Sequence, residues 1–103
     1  MPYRVEGTWV AYQSNGPVIT FNLTRDDMLL TGSASYAGGQ STDLRGRVTD
    51  NAIVMTITWR ADSVGEYNGT FGVDDRLYGH TFDQRDPGQQ ATWYTTQGFI
   101  RGT

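Results

Sequence analysis

Apolar and polar residues alternate along most of this chain, the period of strands half buried against a core. The clearest run is Val18 to Thr24, where Ile19, Phe21 and Leu23 share one face and Thr20, Asn22 and Thr24 the other. Ala52 to Arg60 repeats the pattern, with Ile53, Met55, Ile57 and Trp59 inward and Thr56 and Thr58 outward. In Thr42 to Thr49, Leu44, Gly46 and Val48 face in while Asp43, Arg45 and Arg47 face out. Val64 to Val73 places Gly65, Tyr67, Gly69, Phe71 and Val73 on one face. Four further strands are expected at Glu6 to Tyr12, Met28 to Tyr36, Arg76 to Phe82 and Gln90 to Thr96, followed by a tail from Gln97 to Thr103.

Turn formers separate these runs. They are Ser14-Asn15-Gly16-Pro17, Arg25-Asp26-Asp27, Ala37-Gly38-Gly39-Gln40, Asp50-Asn51, Ala61-Asp62-Ser63, Asp74-Asp75 and Gln84-Arg85-Asp86-Pro87-Gly88. Strands joined by loops this short pair with their sequence neighbours as a meander. Eight of them are enough to close a barrel, which removes the exposed edges. A two-sheet sandwich usually needs longer crossing connections. The expected fold is all-β, an eight-stranded antiparallel up-and-down β-barrel forming one domain over residues 1–103.

Composition agrees and narrows the function. Fourteen threonines and thirteen glycines stand beside only two glutamates, so strand formers abound and helix formers are scarce. All eight basic residues are arginine, which points to a GC-rich coding sequence. Against eleven acidic residues they leave a net charge of −3 with no basic cluster, so no nucleic-acid partner is expected. The absence of cysteine removes disulfides, thiolate zinc sites and cysteine nucleophiles. No apolar run approaches the ~20 residues of a membrane helix, so no membrane partner is expected. Met1 to Gly7 lacks the apolar stretch of a signal peptide, which leaves the cytoplasm or a mature secreted form.

Glycine recurs in mid-strand, at Gly32, Gly46, Gly69 and Gly79. Such glycines suit a small barrel that coils sharply, or a place where a bulky neighbour covers the backbone. A sharper reading is that they leave room for a ligand in the lumen. Several of these segments, in this order, resemble the avidin and streptavidin group of the calycins. Gly7-Thr8-Trp9 is similar to the Gly-x-Trp signature on the first calycin strand, and Leu30-Thr31-Gly32-Ser33 to the third avidin strand. Thr56-Ile57-Thr58-Trp59 looks like the strand whose closing tryptophan walls the biotin pocket, and Tyr67-Asn68-Gly69-Thr70-Phe71 like the strand after it, with Tyr67 where the family has tryptophan. The resemblance covers roughly residues 5 to 83. It implies a small-molecule site at the barrel mouth and association into dimers or tetramers.

The chain departs from that family at the groups that clamp the biotin ureido oxygen. Ala11 stands where the resemblance implies asparagine, Ala34 where it implies tyrosine, and Thr81 near the place of a pocket tryptophan. The aspartate of the last avidin strand has no clear counterpart. A ureido group buried without its partners would lose about 1–3 kcal/mol per missing hydrogen bond. The expectation therefore moves from biotin to a flat, apolar ligand. The residues expected to bind it are Trp59 as a wall, Tyr67 between two glycines, Tyr36 two positions after Ala34, Ser14 in the loop that donates to the ureido oxygen in avidins, and Trp93 from the same or a neighbouring subunit. Trp9 is expected to close the opposite end of the barrel.

Other constellations carry less. His80 is the only histidine, and Asp83, three positions on, falls on the opposite strand face, so neither a metal triad nor a Ser-His-Asp set can be built. Glu6 and Glu66 both point away from the expected interior and give no acid–base pair. The Asp26-Asp27 and Asp74-Asp75 pairs read as solvated turn formers. No catalytic residues, metal ligands or cofactor are expected. Two alternative functions remain. One is a carbohydrate-binding module stacking sugars on Trp93 or Tyr94, and the other a small cyclase or isomerase that shapes its substrate inside the lumen.

Overall fold

The structure is a computed structural model that describes residues 3–60 and 63–101. Ten strands follow one another: β1 (Tyr3–Arg4), β2 (Gly7–Gln13), β3 (Val18–Asp26), β4 (Leu29–Tyr36), β5 (Gly39–Val48), β6 (Ala52–Arg60), β7 (Ser63–Phe71), β8 (Leu77–Asp83), β9 (Asp86–Tyr94) and β10 (Ile100–Arg101). Strands β2 to β9 close an eight-stranded antiparallel up-and-down barrel, each pairing with its sequence neighbour and β9 returning to β2. This is the all-β fold that alternation and turn spacing imply. The short strands β1 and β10, the first ahead of the first expected strand and the second within the expected tail, pair with each other outside the barrel.

Boundaries differ where turn chemistry was misjudged. The β3–β4 turn is Asp27-Met28, with Asp27 in the left-handed region at φ 59°, and Asp26 still pairs with Leu29. Aspartate tolerates that conformation because its short polar side chain bonds locally. The β8–β9 turn shrinks to Gln84-Arg85, and Asp86-Pro87-Gly88 joins β9 beside a bulge at Phe82/Asp83. Proline is tolerated there because it stands near the strand start. Strand β5 likewise begins at Gly39 rather than Thr42. Of the expected turn Ala61-Asp62-Ser63, the first two residues lie outside the described ones.

The inward faces follow the pleat. Ile19, Phe21, Leu23, Leu30, Leu44, Ile53, Met55 and Ile57 are buried in one cluster with Tyr67, Leu77 and Trp93. Two of the mid-strand glycines exist for one side chain. A β-carbon at Gly69 would lie 2.7 Å from the Trp93 ring, and one at Gly79 2.5 Å from it. The register sets Gly69, Gly79 and Trp93 side by side on β7, β8 and β9, so the indole lies flat across two bare backbones. Gly46 makes the same allowance for Met55, whose Cγ would lie 3.0 Å from a β-carbon there. These glycines accommodate core side chains, not a ligand, and buried residues fill the lumen from Tyr67 downward.

The lower end is plugged by aromatics from both chain ends. Trp9 is buried, donates its indole N–H to the Val5 carbonyl at 3.0 Å, and meets Phe99 edge-on at 5.1 Å. Tyr3 stacks on Phe71 at 3.9 Å, and its hydroxyl donates to Asp75 Oδ1 at 2.6 Å. Arg101 covers the other side, donating to the Tyr3 hydroxyl at 2.8 Å with its guanidinium 4.8 Å from the ring centroid. The β1–β10 pair thereby ties the two ends of the chain across the barrel base.

The glycines predict a stability contrast. Gly79→Ala forces a methyl group against the Trp93 ring and the Asn68 carbonyl, and should cost about 1–3 kcal/mol in urea unfolding. Gly88→Ala, whose new methyl would meet nothing closer than 3.7 Å, should stay within about 0.5 kcal/mol of wild type.

Candidate functional site

Hairpin topology sends every second loop to the upper end, and the ends of the strands there surround a cavity of about 300 Å³. That is the lower limit of ordinary small-molecule sites. Tyr67 makes the floor. It is 4% exposed, and its ring meets Phe21 and Trp93 edge-on at 5.6 and 6.0 Å. Its hydroxyl donates to Gln13 Oε1 in a short hydrogen bond. Burial pushes the Tyr67 phenol up from its ordinary 10 to about 12, partly offset by a hydrogen bond with the Thr81 side chain. The floor is therefore a neutral donor at any physiological pH.

Trp59 and Tyr36 make the walls. Trp59 stands one residue before the end of β6 and leans over Gly65, whose β-position lies 3.1 Å from the indole nitrogen. A β-carbon at 65 would crowd both the Trp59 indole and the Tyr67 ring, 3.3 Å away. Tyr36 ends β4, meets Trp59 edge-on at 5.0 Å and remains 38% exposed. Such perpendicular contacts fix the ring planes relative to each other.

The rim is polar. Gln13, Asn15 and Gln89 supply amides, and Ser63, Thr81 and Asp83 add two hydroxyls and one carboxylate. Asp83 accepts from the backbone N–H of Arg85 at 2.8 Å and from the Ser63 hydroxyl at 3.3 Å. The Arg85 N–H above all holds its carboxyl below the usual carboxylate range, against the cost of desolvation, and Ser63 adds to the effect. Asp83 is thus charged at neutral pH.

Of the five residues picked from sequence, the structure brings Trp59, Tyr67 and Tyr36 together around this cavity. The other two lie elsewhere. Ser14 is exposed and joins the β2–β9 seam, where its hydroxyl accepts from the Thr92 N–H at 3.0 Å and its own N–H donates to the Thr92 carbonyl at 2.8 Å. Trp93 sits one layer below Tyr67, 2% exposed, because the two glycines beneath it draw it into the core. Tyr94, its neighbour, points outward and stacks on Tyr12 at 5.5 Å.

Sequence reading missed the amides and Asp83. The phase of the strands held a signal for two of them: Gln13 is in step with Trp9 and Ala11, and Asp83 with Gly79 and Thr81. Gln89 lies in the bulged stretch at the start of β9 and Asn15 in the β2–β3 turn, places that alternation does not report. Ala11 and Ala34 are buried opposite Ile19 and Phe21 and offer the cavity no polar group. His80 is exposed on the outer wall, 2.9 Å from Gln90 Oε1. Among the described residues, no three His, Cys, Asp or Glu side chains come close enough to share a metal ion. Comparison with protein-family models, curated proteins and solved structures gave no match to this chain.

The buried phenol makes stability depend on alkaline pH. An unfolded tyrosine releases its proton near pH 10, whereas folded Tyr67 holds it to about 12. The stabilisation is therefore complete below pH 10 and lost as pH rises from 10 towards 12. It amounts to on the order of 2–3 kcal/mol. Urea unfolding of wild type should show this loss, and Tyr67→Phe should flatten that part of the curve.

Proposed function

We propose that this barrel is a small-molecule binding protein of avidin-like type, taking a flat organic ligand at its mouth. The observation that carries the reading is the meeting of Trp59, Tyr36 and Tyr67 around a cavity at one end of a barrel otherwise filled and plugged. Aromatic walls with a few fixed polar groups suit a ligand with one planar body and one or two hydrogen-bonding atoms. Biotin is a poor candidate, since Ala11 and Ala34 provide no partners for a ureido oxygen and Ser14 lies outside the cavity lining, at the seam with Thr92.

The amides of Gln13, Asn15 and Gln89 favour one second reading, a sugar stacked on Trp59 with its hydroxyls on the rim. In that reading Trp59 takes the place of Trp93 and Tyr94 as the platform. Copies of the barrel would associate through its outer wall, where Val54, Tyr78 and Tyr94 are exposed.

Native mass spectrometry of the purified protein tests these points together. A co-purified mass, or a gain of one ligand per chain from a panel of planar compounds, is expected, with biotin adding none. Trp59→Ala should weaken that binding at least about tenfold, while the loss of a half-buried ring packed on the core should cost only about 1–3 kcal/mol and leave the barrel folded. Unchanged affinity in a folded Trp59→Ala variant places the ligand elsewhere. Binding by glycans alone would favour the sugar.

A further inference from the structure

The charge of the mouth says more about its ligand than its shape does, and this step rests on the mouth being the binding site. Among the described residues, Asp83 is the only lining side chain with a full charge at neutral pH. Its hydrogen-bond donors are neutral, a backbone N–H and a serine hydroxyl, so they leave that charge in place. Asp83 is paired in register with Gly65, and Gly65 lies directly under the Trp59 indole. Directly opposed β-positions stand about 5 Å apart, so the carboxylate projects beside that ring. Tyr36 and Tyr67 complete three aromatic rings around the same space.

Electron-rich ring faces and an adjacent carboxylate both attract positive charge, and both repel a ligand carboxylate. We infer that the mouth selects a small organic monocation, an ammonium or guanidinium head on a planar body, held against Trp59 and Tyr36 with its charge against Asp83. The body would rest on Tyr67, whose hydroxyl stays a neutral donor tied to Gln13. A dedicated anion such as biotin's valerate, by contrast, would meet no cation among the described lining residues.

Three probes with one phenyl body separate this inference from the binding reading beneath it: benzyltrimethylammonium, benzyl alcohol and phenylacetate. Trp59 reports binding by fluorescence, because Trp9 and Trp93 are each only 2% exposed. Titration calorimetry gives the dissociation constants independently. The cation should bind at least about tenfold more tightly than the alcohol, and phenylacetate most weakly. Asp83→Asn keeps an oxygen for the Arg85 N–H. It should bring the cation to the level of the alcohol without moving the alcohol. Raising the salt concentration on wild type should weaken the cation alone, which gives the same answer if the variant fails to fold. Equal or tighter binding of the alcohol or the acid, abolished by Trp59→Ala, would overturn the charge selectivity and leave the mouth as a binding site. Failure of all three to bind at millimolar concentration would overturn both.

Discussion

The Trp93 indole lying across Gly69 and Gly79 is the contact on which the rest of this barrel depends. An eight-stranded barrel has an interior just wide enough for side chains to fill. Here one large ring occupies the centre of that interior, and two adjacent strands give up their side chains to admit it. The ring then reaches Trp9 at 6.4 Å below and Tyr67 at 6.0 Å above, so one residue links the plug to the floor of the cavity. The arrangement carries a cost. The Trp93 indole nitrogen is buried with no hydrogen-bond partner, a loss of about 1–3 kcal/mol. Burial of an indole on both faces offsets that loss, because aromatic rings remove the largest apolar areas from water.

Closure is uneven around the barrel. Strands β2 and β9 pair only at Tyr12 with Tyr94 and Gln13 with Trp93, whereas β3 and β4 pair over seven positions. The Ser14–Thr92 bonds extend this short seam upward, toward the mouth. Below it the chain leaves β2. Thr95 turns to β8, where its N–H donates to the Leu77 carbonyl and its hydroxyl accepts from the Leu77 N–H, both at 3.0 Å. Continuing along the base, Phe99 enters the plug and β10 reaches β1. The aromatic plug and the tie between the chain ends thus hold the base at the place where the seam gives least.

Alternation made the barrel legible because period two is the same whether a strand is read in sequence or seen in a sheet. It assigned Ile53, Met55 and Ile57 to the inside and Thr56 and Thr58 to the outer side, and the burial of the first three agrees. Aromatic identity on inward phases, near the upper strand ends for Trp59 and Tyr36 and between two glycines for Tyr67, picked out three residues that line the cavity. What failed was depth. Trp93 and Trp59 both carry an indole on an inward phase, and sequence alone does not say that one stands level with two glycines and the other above them. The register across three strands decides it, and register is a property of pairing. Ser14 failed for a related reason: a loop hydroxyl has many acceptors and donors in reach, and closing the barrel gave it Thr92.

Depth also separates two kinds of residue in this fold. Below Tyr67 every large side chain is held by others, and the interior has no room to vary without strain. Above it, Trp59 and Tyr36 remain partly exposed, and only filling the cavity they line would bury them further. Leaving aromatic surface in water forgoes about 25 cal/mol for each Å² that burial would have gained. A barrel selected for stability alone would close that gap with one more core side chain. The glycine at 65, the rings around it and the charged Asp83 instead keep it open and polar on one side, which is what an occupant of matching shape and charge would need.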